Sequence, residues 1–157
     1  MSLNLVTYFT ENVMSLPPTR FVEEEFVPYG RQPASEFLVV KKSREGLMRS
    51  VADEVSDLVG MTDNEIAYVL GMTPRNLHRI QGEKRLGTDA SERLLLLRNV
   101  IIHALDTFEG KENVVRHWLR TPISELNDQT PLQMMDTVTG FGLVDNVLGR
   151  LDYGLPA

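Results

Sequence analysis

The segment TPRNLHRI, residues 73–80, brings together side chains that can read the edges of nucleic-acid bases. Arginine pairs with guanine and asparagine pairs with adenine when a helix lies in the major groove. The basic residues that follow at positions 84 and 85 are placed to neutralise backbone phosphates. The predicted DNA-binding residues are Thr73, Arg75, Asn76, Arg79, Lys84 and Arg85.

The chain as a whole is acidic, with a formal net charge of −6, whereas nucleic acid is a polyanion. The charges are unevenly distributed, because residues 73–98 hold six Lys and Arg against three Asp and Glu. Residues 1–72 hold six against eleven, and residues 99–157 hold four against eight. Counterion release depends on local neutralisation, so a basic island is sufficient for phosphate contacts.

Two short helices joined by a glycine are predicted to position the base-reading side chains. Thr62 and Glu65 form a capping-box pattern, and the helix that they begin runs to Leu70. Thr73 caps the next helix, which has proline at its first position and ends near Gly82.

A helix-turn-helix needs a small residue where its helices cross and a turn residue that tolerates positive φ. Ala67 and Gly71 meet these two requirements. The apolar residues expected to face the core are Ile66, Leu70, Leu77 and Ile80. The alternative is an ordinary helical hairpin with a solvated face, because short helices joined through glycine are common.

The chain after Ser43 is predicted to be all-α. An apolar stripe indicates a helix from Ser43 to Gly60, and TDASERLLLLRNVIIHALDTF begins with a capping residue and stays apolar for three turns. A helix follows through NVVRHWLR, where Trp118 is expected to be a core anchor, and prolines at 122 and 131 divide the remainder into short helices.

Residues 1–42 are predicted to form an extended N-terminal arm, because four prolines between residues 17 and 33 prevent a long helix. The stretch FLVV at residues 37–40 is either a short strand or a segment that covers the core. The predicted division is an arm at 1–42, a helix-turn-helix domain at 43–88 and a helical domain at 89–157.

Composition excludes several functional classes. Cysteine is absent, so disulfides, thiolate metal sites and cysteine nucleophiles are excluded. The three histidines, at 78, 103 and 117, lack the spacing of a zinc protease, and GFG at 140–142 lacks the pattern of a dinucleotide loop. No signal peptide or membrane-length apolar run is found. We therefore expect a cytoplasmic protein that is not an enzyme.

The sequence HWLRTPISELNDQTPLQMMDTVTGFGLVDNVLGRLDYGLPA, with TPRNLHRIQGEKRLGTDASERLLLLRNV ahead of it, resembles the Xre/ParS/MbcA antitoxin family, partners of RES-domain toxins. The resemblance covers residues 43–157 and leaves the arm unassigned. Its most specific part is an ordered run of tryptophan, prolines and glycines at Trp118-Leu119, Pro122, Leu126, Thr130-Pro131-Leu132, Gly140, Val144, Leu148 and Gly154.

The resemblance implies a type II antitoxin. Its carboxy-terminal half would neutralise a toxin that consumes NAD, and its helix-turn-helix would bind operator DNA and repress the shared operon. NAD would be the substrate of the toxin, so no cofactor is expected here. The acidic half could cover a cationic active site. A homodimer is expected, because such proteins read two half-sites and the apolar helix beginning at Thr88 offers more surface than one small domain covers.

The apolar tail gives two alternatives. In the first, Tyr153 and Leu155 fold back to complete the core. In the second, Gly154 lets the chain carry Leu155, Pro156 and the terminal carboxylate into the NAD pocket of the toxin, where the carboxylate takes the place of a substrate phosphate. The predicted toxin-binding residues are Arg150, Asp152, Tyr153, Gly154, Leu155, Pro156 and Ala157.

Two other functions remain open from the sequence. One is a stand-alone helix-turn-helix regulator whose acidic half only dimerises. The other is a structural adaptor with a degenerate helix-turn-helix.

Overall fold

A computed structural model describes residues 36–154, and all the regular structure in this range is helical. Isolated bridges join Met48 to Arg85 and Ile123 to Gln129, and no strand occurs within this range. The predicted all-α fold is thereby confirmed. The α-helices are α1 Glu36–Glu45, α2 Arg49–Val59, α3 Asp63–Val69, α4 Pro74–Arg79, α5 Thr88–Thr107, α6 Glu112–Trp118, α7 Pro131–Met134 and α8 Val138–Asp152, with a 3-10 turn at Ser124–Leu126.

The long helix α5 lies at the centre of the molecule. Helices α1 and α8 make the most extensive contacts with it, and α2, α3 and α6 pack on its remaining sides. Leu94, Leu97, Ile101 and Leu105 are fully buried as a result. The apolar surface of α5 that was taken to favour a homodimer is covered by helices of the same chain, so it gives no support to that prediction.

The amino-terminal elements differ from their sequence prediction. Residues 36–42 were assigned to the extended arm but lie in α1, where Val39 is buried in the core. The helix predicted from Ser43 is divided at Gly46, which has φ +77° and lies so close to Leu86 that a Cβ would sit 2.8 Å from its carbonyl oxygen. The prediction for residues 1–35 lies outside the described residues.

A side-chain cap marks the beginning of four helices, α3, α4, α7 and α8. The Thr62 hydroxyl accepts a hydrogen bond from the Glu65 backbone N–H at 3.2 Å, and the Glu65 carboxylate accepts one from the Thr62 N–H at 2.8 Å, so the predicted capping box is confirmed. A second capping box, formed by Thr130 and Gln133, begins α7. The prediction of a side-chain cap for α5 is wrong, because Gly87 is its N-cap and Thr88 lies inside the helix.

In the carboxy-terminal half, α6 packs against α5, and the 3-10 turn and α7 pack against α8. Trp118 is buried as predicted, and its ring lies 5.8 Å from that of Phe108. Gly140 lies so close to α7 that a Cβ there would overlap the Met134 carbonyl oxygen. The close crossing of α7 and α8 therefore requires glycine at this position. Within residues 36–154, no helix has the length and apolar character needed to cross a bilayer.

Candidate functional site

Helices α3 and α4 form the predicted helix-turn-helix. Gly71 has φ +70° in the turn between them, and Ala67 is fully buried where the helices cross. Leu70 and Leu77 are also buried, whereas Ile80 is half-buried against the same core. The small residue, the positive-φ glycine and the apolar contacts therefore lie where the sequence predicted them.

The outward side of α4 carries the predicted base-reading residues. Arg75, Asn76 and Arg79 are exposed, and their side chains make no hydrogen bond or ion pair with any residue from 36 to 154. At about 100° per residue they fall within roughly one-third of the helix circumference. Thr73 has a structural role, because its hydroxyl accepts a hydrogen bond from the Asn76 backbone N–H at 3.2 Å.

The Asp63 carboxylate lies beside the exposed surface formed by Arg75, Asn76 and Arg79. His78, which follows Leu77 on α4, places its Nε2 atom 3.3 Å from the Oδ2 atom of Asp63 at the start of α3. Both side chains are exposed, so the pair is solvated and its contribution to stability is small. The contact ties the two helices together on the solvent side, opposite their buried apolar contact.

The loop after α4 is fixed by backbone pairing with residues 46–49. The Arg49 N–H donates to the Lys84 carbonyl at 2.9 Å, and the Leu86 N–H donates to the Leu47 carbonyl at 2.7 Å. The Arg85 guanidinium donates to the Gly46 carbonyl, so Arg85 holds this loop in place as well as carrying charge. The Lys84 side chain is exposed and has no such partner among the described residues.

A buried serine connects this loop to α5. Ser91 is fully buried, accepts a hydrogen bond from the Leu47 N–H at 2.9 Å and lies 3.3 Å from the Leu86 carbonyl, to which its hydroxyl donates. Because the Ser91 hydroxyl bonds to Leu47 on one side and to Leu86 on the other, it holds both segments, including the loop carrying Lys84 and Arg85, against α5.

An arginine of the carboxy-terminal half binds the first helix of the helix-turn-helix. Arg120 donates to the two carboxylate oxygens of Glu65 at 2.9 and 2.7 Å, and to the Gly60 carbonyl at 2.9 Å. Burial raises the pKa of Glu65, but hydrogen bonds from Arg120 and Thr62 outweigh this effect and lower it overall. The carboxylate that caps α3 is therefore shared with the other half of the chain.

Two further contacts reinforce the junction between the halves. The Arg93 guanidinium lies against Gly71 in the turn and donates to the Asp136 carbonyl. The Tyr68 hydroxyl donates to the Gln133 carbonyl at 3.0 Å. An open cleft of about 400 Å³ lies at this junction. The residues that line it are Asn64, Glu65, Tyr68, Arg120, Thr130, Leu132 and Gln133.

A histidine joins α5 to α8. His103 Nδ1 lies 2.7 Å from Asp145 and Nε2 lies 2.8 Å from Asp152, and the Thr107 hydroxyl donates to the second oxygen of Asp152 at 2.7 Å. The hydrogen bond to Asp145 has the largest effect on the pKa of His103 and raises it. Burial lowers this pKa, and the hydrogen bond to Asp152 raises it further, so that the pKa is about 9. His103 is therefore a cation at neutral pH, held between two carboxylates.

The predicted toxin-binding residues are divided between paired and exposed positions. Arg150 is bound to Glu125, and Asp152 is bound to the histidine of α5. Tyr153 is 85% exposed, so it does not fold back to complete the core, and Gly154 leaves the helix with φ +67°. The residues of this prediction that lie outside the described residues are Leu155, Pro156 and Ala157.

Two family models match adjacent parts of the chain. The model of the antitoxin Xre-like helix-turn-helix domain matches residues 39–99. The model of the antitoxin Xre/MbcA/ParS C-terminal toxin-binding domain matches residues 103–154. The two matches meet inside α5, the helix that both halves share.

Two curated relatives match across both regions. Antitoxin Xre of Photorhabdus laumondii is 30% identical over 112 residues, which cover 71% of this chain and 76% of the relative. The chain belongs to the Xre antitoxin family. Antitoxin Xre of Yersinia enterocolitica is also 30% identical, over 125 residues that cover 78% of this chain and 84% of that protein.

The family resemblance seen in the sequence is thus confirmed, and the antitoxin-family chain has a helix-turn-helix domain followed by a toxin-binding domain. Sequence reasoning did not identify the contacts of Arg120 with Glu65 or of His103 with two aspartates. The spacing of Asp145 and Asp152 by seven residues places them on one side of a helix and was a usable signal. Nothing local identified His103 as their partner, because it precedes Asp145 by 42 residues.

Proposed function

We propose that this antitoxin binds and neutralises a cognate RES-domain toxin that consumes NAD, and that it represses its own operon in the cytoplasm. The observation that carries the proposal is the match of residues 103–154 to a toxin-binding domain, directly after a helix-turn-helix whose second helix exposes Arg75 and Arg79. NAD would be bound by the toxin, so the antitoxin needs no cofactor.

In the proposed repressor complex, α4 lies in the major groove of the operator. Arg75, Asn76 and Arg79 contact base edges, because they are exposed and make no ion pair within the described chain. Lys84 and Arg85 contact phosphates from the loop that is fixed beside α4. One copy presents one such surface, so reading a two-fold operator requires a homodimer.

In the proposed toxin complex, the carboxy-terminal end of α8 lies at the interface. Arg150 and Asp152 are bound within the chain, so their part is to orient the end of the helix. Tyr153 and Gly154 lead the chain away from α8. The residues proposed to follow them into the active site of the toxin are Leu155, Pro156 and Ala157.

The DNA half of the proposal is tested by salt-dependent operator binding. Lys84→Ala should weaken binding to every sequence and reduce the salt slope by about one unit, whereas Arg75→Ala should cost about 1–3 kcal/mol and relax specificity. Lys111→Ala is the matched control, because it removes the same charge from an exposed site in the other half. If Lys84→Ala changed specificity and left the salt slope intact, the assignment would be wrong.

The toxin half is tested by co-expression with the product of the adjacent gene, which the proposal requires to be a RES-domain protein. The wild-type antitoxin should co-purify with it and restore cellular NAD. An antitoxin that binds operator DNA but neither retains the toxin nor protects NAD would instead be a stand-alone regulator. Deletion of residues 153–157 should abolish inhibition and preserve DNA binding, and inhibition that survives at unchanged affinity would exclude the tail from the active site.

A further inference from the structure

Helix α8 presents a solvent-facing side that carries no charged residue. We define this outer face by Val138, Gly142, Asn146, Gly149 and Tyr153, which fall within about 80° of the helix circumference; Leu143 lies beyond Arg150 at its edge. Val138, Leu143 and Tyr153 are 50%, 44% and 85% exposed, respectively. A surface helix ordinarily directs charged residues outward, so an outward side without any in a chain that is 24% charged requires an explanation.

The charged residues of α8 lie at the edges of this face and are already paired. Asp145 and Asp152 bind His103 along one edge, and Arg150 binds Glu125 along the other. These ion pairs keep the charges from projecting across the outer face. A partner that covers the face therefore needs to desolvate only uncharged side chains at its centre, which avoids the large penalty of burying an unpaired charge.

Packing within the described chain requires only one of the three glycines of α8. Gly140 is required by the packing of this chain, because a Cβ would overlap the Met134 carbonyl. At Gly142 and Gly149, no atom of residues 36–154 lies within 4 Å of the position that a Cβ would occupy. Glycine in an exposed helix interior is less stable than alanine, so neither glycine helps this fold. Both positions leave room for the backbone of a partner to approach α8 closely.

We propose that the outer face of α8 is the main docking surface for the cognate toxin, through an uncharged, apolar patch on that toxin. This inference rests on the proposed function. Among the residues matched to the toxin-binding domain, two of the three exposed large hydrophobic side chains, Val138 and Tyr153, lie on this face, and the third, Leu143, lies at its edge. The face also ends at Tyr153, where the chain continues into the residues proposed to enter the toxin.

The test replaces each of these two glycines by a larger residue. Gly142→Gln and Gly149→Gln add a long, uncharged side chain that favours the helix and whose Cβ meets no atom of the described residues. Asn113→Gln is the control, because it makes an uncharged change at an exposed position of α6 in the same domain. Affinity for a catalytically inactive toxin, operator binding, melting temperature and oligomeric state are measured on the full chain.

Each glycine variant should bind the toxin at least tenfold more weakly, with an equal or higher melting temperature and unchanged operator binding, and the control should match wild type. Unchanged toxin affinity in both glycine variants would overturn the inference. Conversion of a dimer to a monomer with toxin affinity retained would also overturn it, because it would assign the face to a second copy of this chain. Failure of the wild-type chain to bind the toxin would refute the proposed function itself.

Discussion

Replacing His103 by glutamine removes the positive charge that joins α5 to α8, and we expect the resulting loss of stability to depend on pH. The imidazole contacts Asp145 and Asp152 at 2.7 and 2.8 Å, and glutamine can donate a hydrogen bond but carries no charge. The charge is present in the folded protein as long as the pH stays below the pKa of His103, which is about 9.

The size of the effect follows from the difference in pKa between the folded and unfolded chains. An unfolded histidine titrates near 6.5 and each pKa unit corresponds to about 1.4 kcal/mol, so a folded value near 9 gives at most about 3 kcal/mol. The side chain is 27% exposed, so solvent screening reduces the expected contribution to about 2 kcal/mol. Because the pKa is raised on folding, this contribution is complete below pH 6.5 and is lost as pH rises through 9.

The assay is urea unfolding of wild type and His103→Gln at pH 6, pH 7.5 and pH 10. The difference in unfolding free energy should be about 2 kcal/mol at pH 6 and should approach zero at pH 10. Taking the difference between the two proteins cancels titrations that both share. His117→Gln controls for loss of an imidazole, because His117 is exposed on α6. An NMR titration of His103 measures its pKa directly.

Two outcomes would refute this reasoning. One is a stability difference that stays constant from pH 6 to pH 10, because glutamine would then have lost packing or a neutral hydrogen bond instead of a charge. The other is an NMR midpoint for His103 at or below 6.5, because His103 would then not be a cation held by the two aspartates at neutral pH.

Three further substitutions test contacts that hold the fold together. Ser91→Ala should destabilise the chain by about 1–3 kcal/mol in urea unfolding, because it leaves a buried backbone N–H without an acceptor, and a loss under 0.5 kcal/mol would contradict this. Gly140→Ala should cost about 3 kcal/mol or more, because its Cβ overlaps the Met134 carbonyl, and a normal melting temperature would show that α7 moves away freely. Glu65→Gln should cost about 1 kcal/mol at pH 7 by weakening the pair with Arg120. That loss should shrink as pH falls through the lowered pKa of Glu65, and a loss that stays the same below that pKa would exclude the charge as its cause.

The helix-turn-helix was predictable because its signals are local. The capping box at Thr62, the cap at Thr73 and the glycine at 71 act within four residues of the backbone that they shape, so their consequences are readable from spacing. The exposure of Arg75 and Arg79 follows from helical periodicity once the apolar positions are assigned.

The remaining features depend on packing between distant segments. FLVV is too short for periodicity to separate strand from helix; it is helical, with Val39 buried in the core while Phe37 and Val40 stay exposed. The apolar surface of α5 was ascribed to a second copy because the sequence does not show that α1 and α8 cover it. Glu65 and Arg120 are separated by 55 residues, so nothing in the local pattern of either predicts their pairing.

The ion pair between Glu65 and Arg120 limits how much free energy toxin binding can transmit through this contact to the helix-turn-helix. The same carboxylate caps the first helix of the helix-turn-helix and binds an arginine that immediately follows α6, so a shift of α6 on toxin binding would loosen the start of α3. Through this pair the two halves can exchange no more free energy than the pair itself holds, and a partly exposed bidentate ion pair holds on the order of 1–2 kcal/mol. A coupling of that size changes DNA affinity about five- to thirty-fold, within the range typical of allosteric proteins. A larger effect of the toxin on operator binding therefore has to involve the other junction contacts, those of Arg93 and Tyr68, or the toxin itself, by bridging antitoxin copies or by contacting DNA.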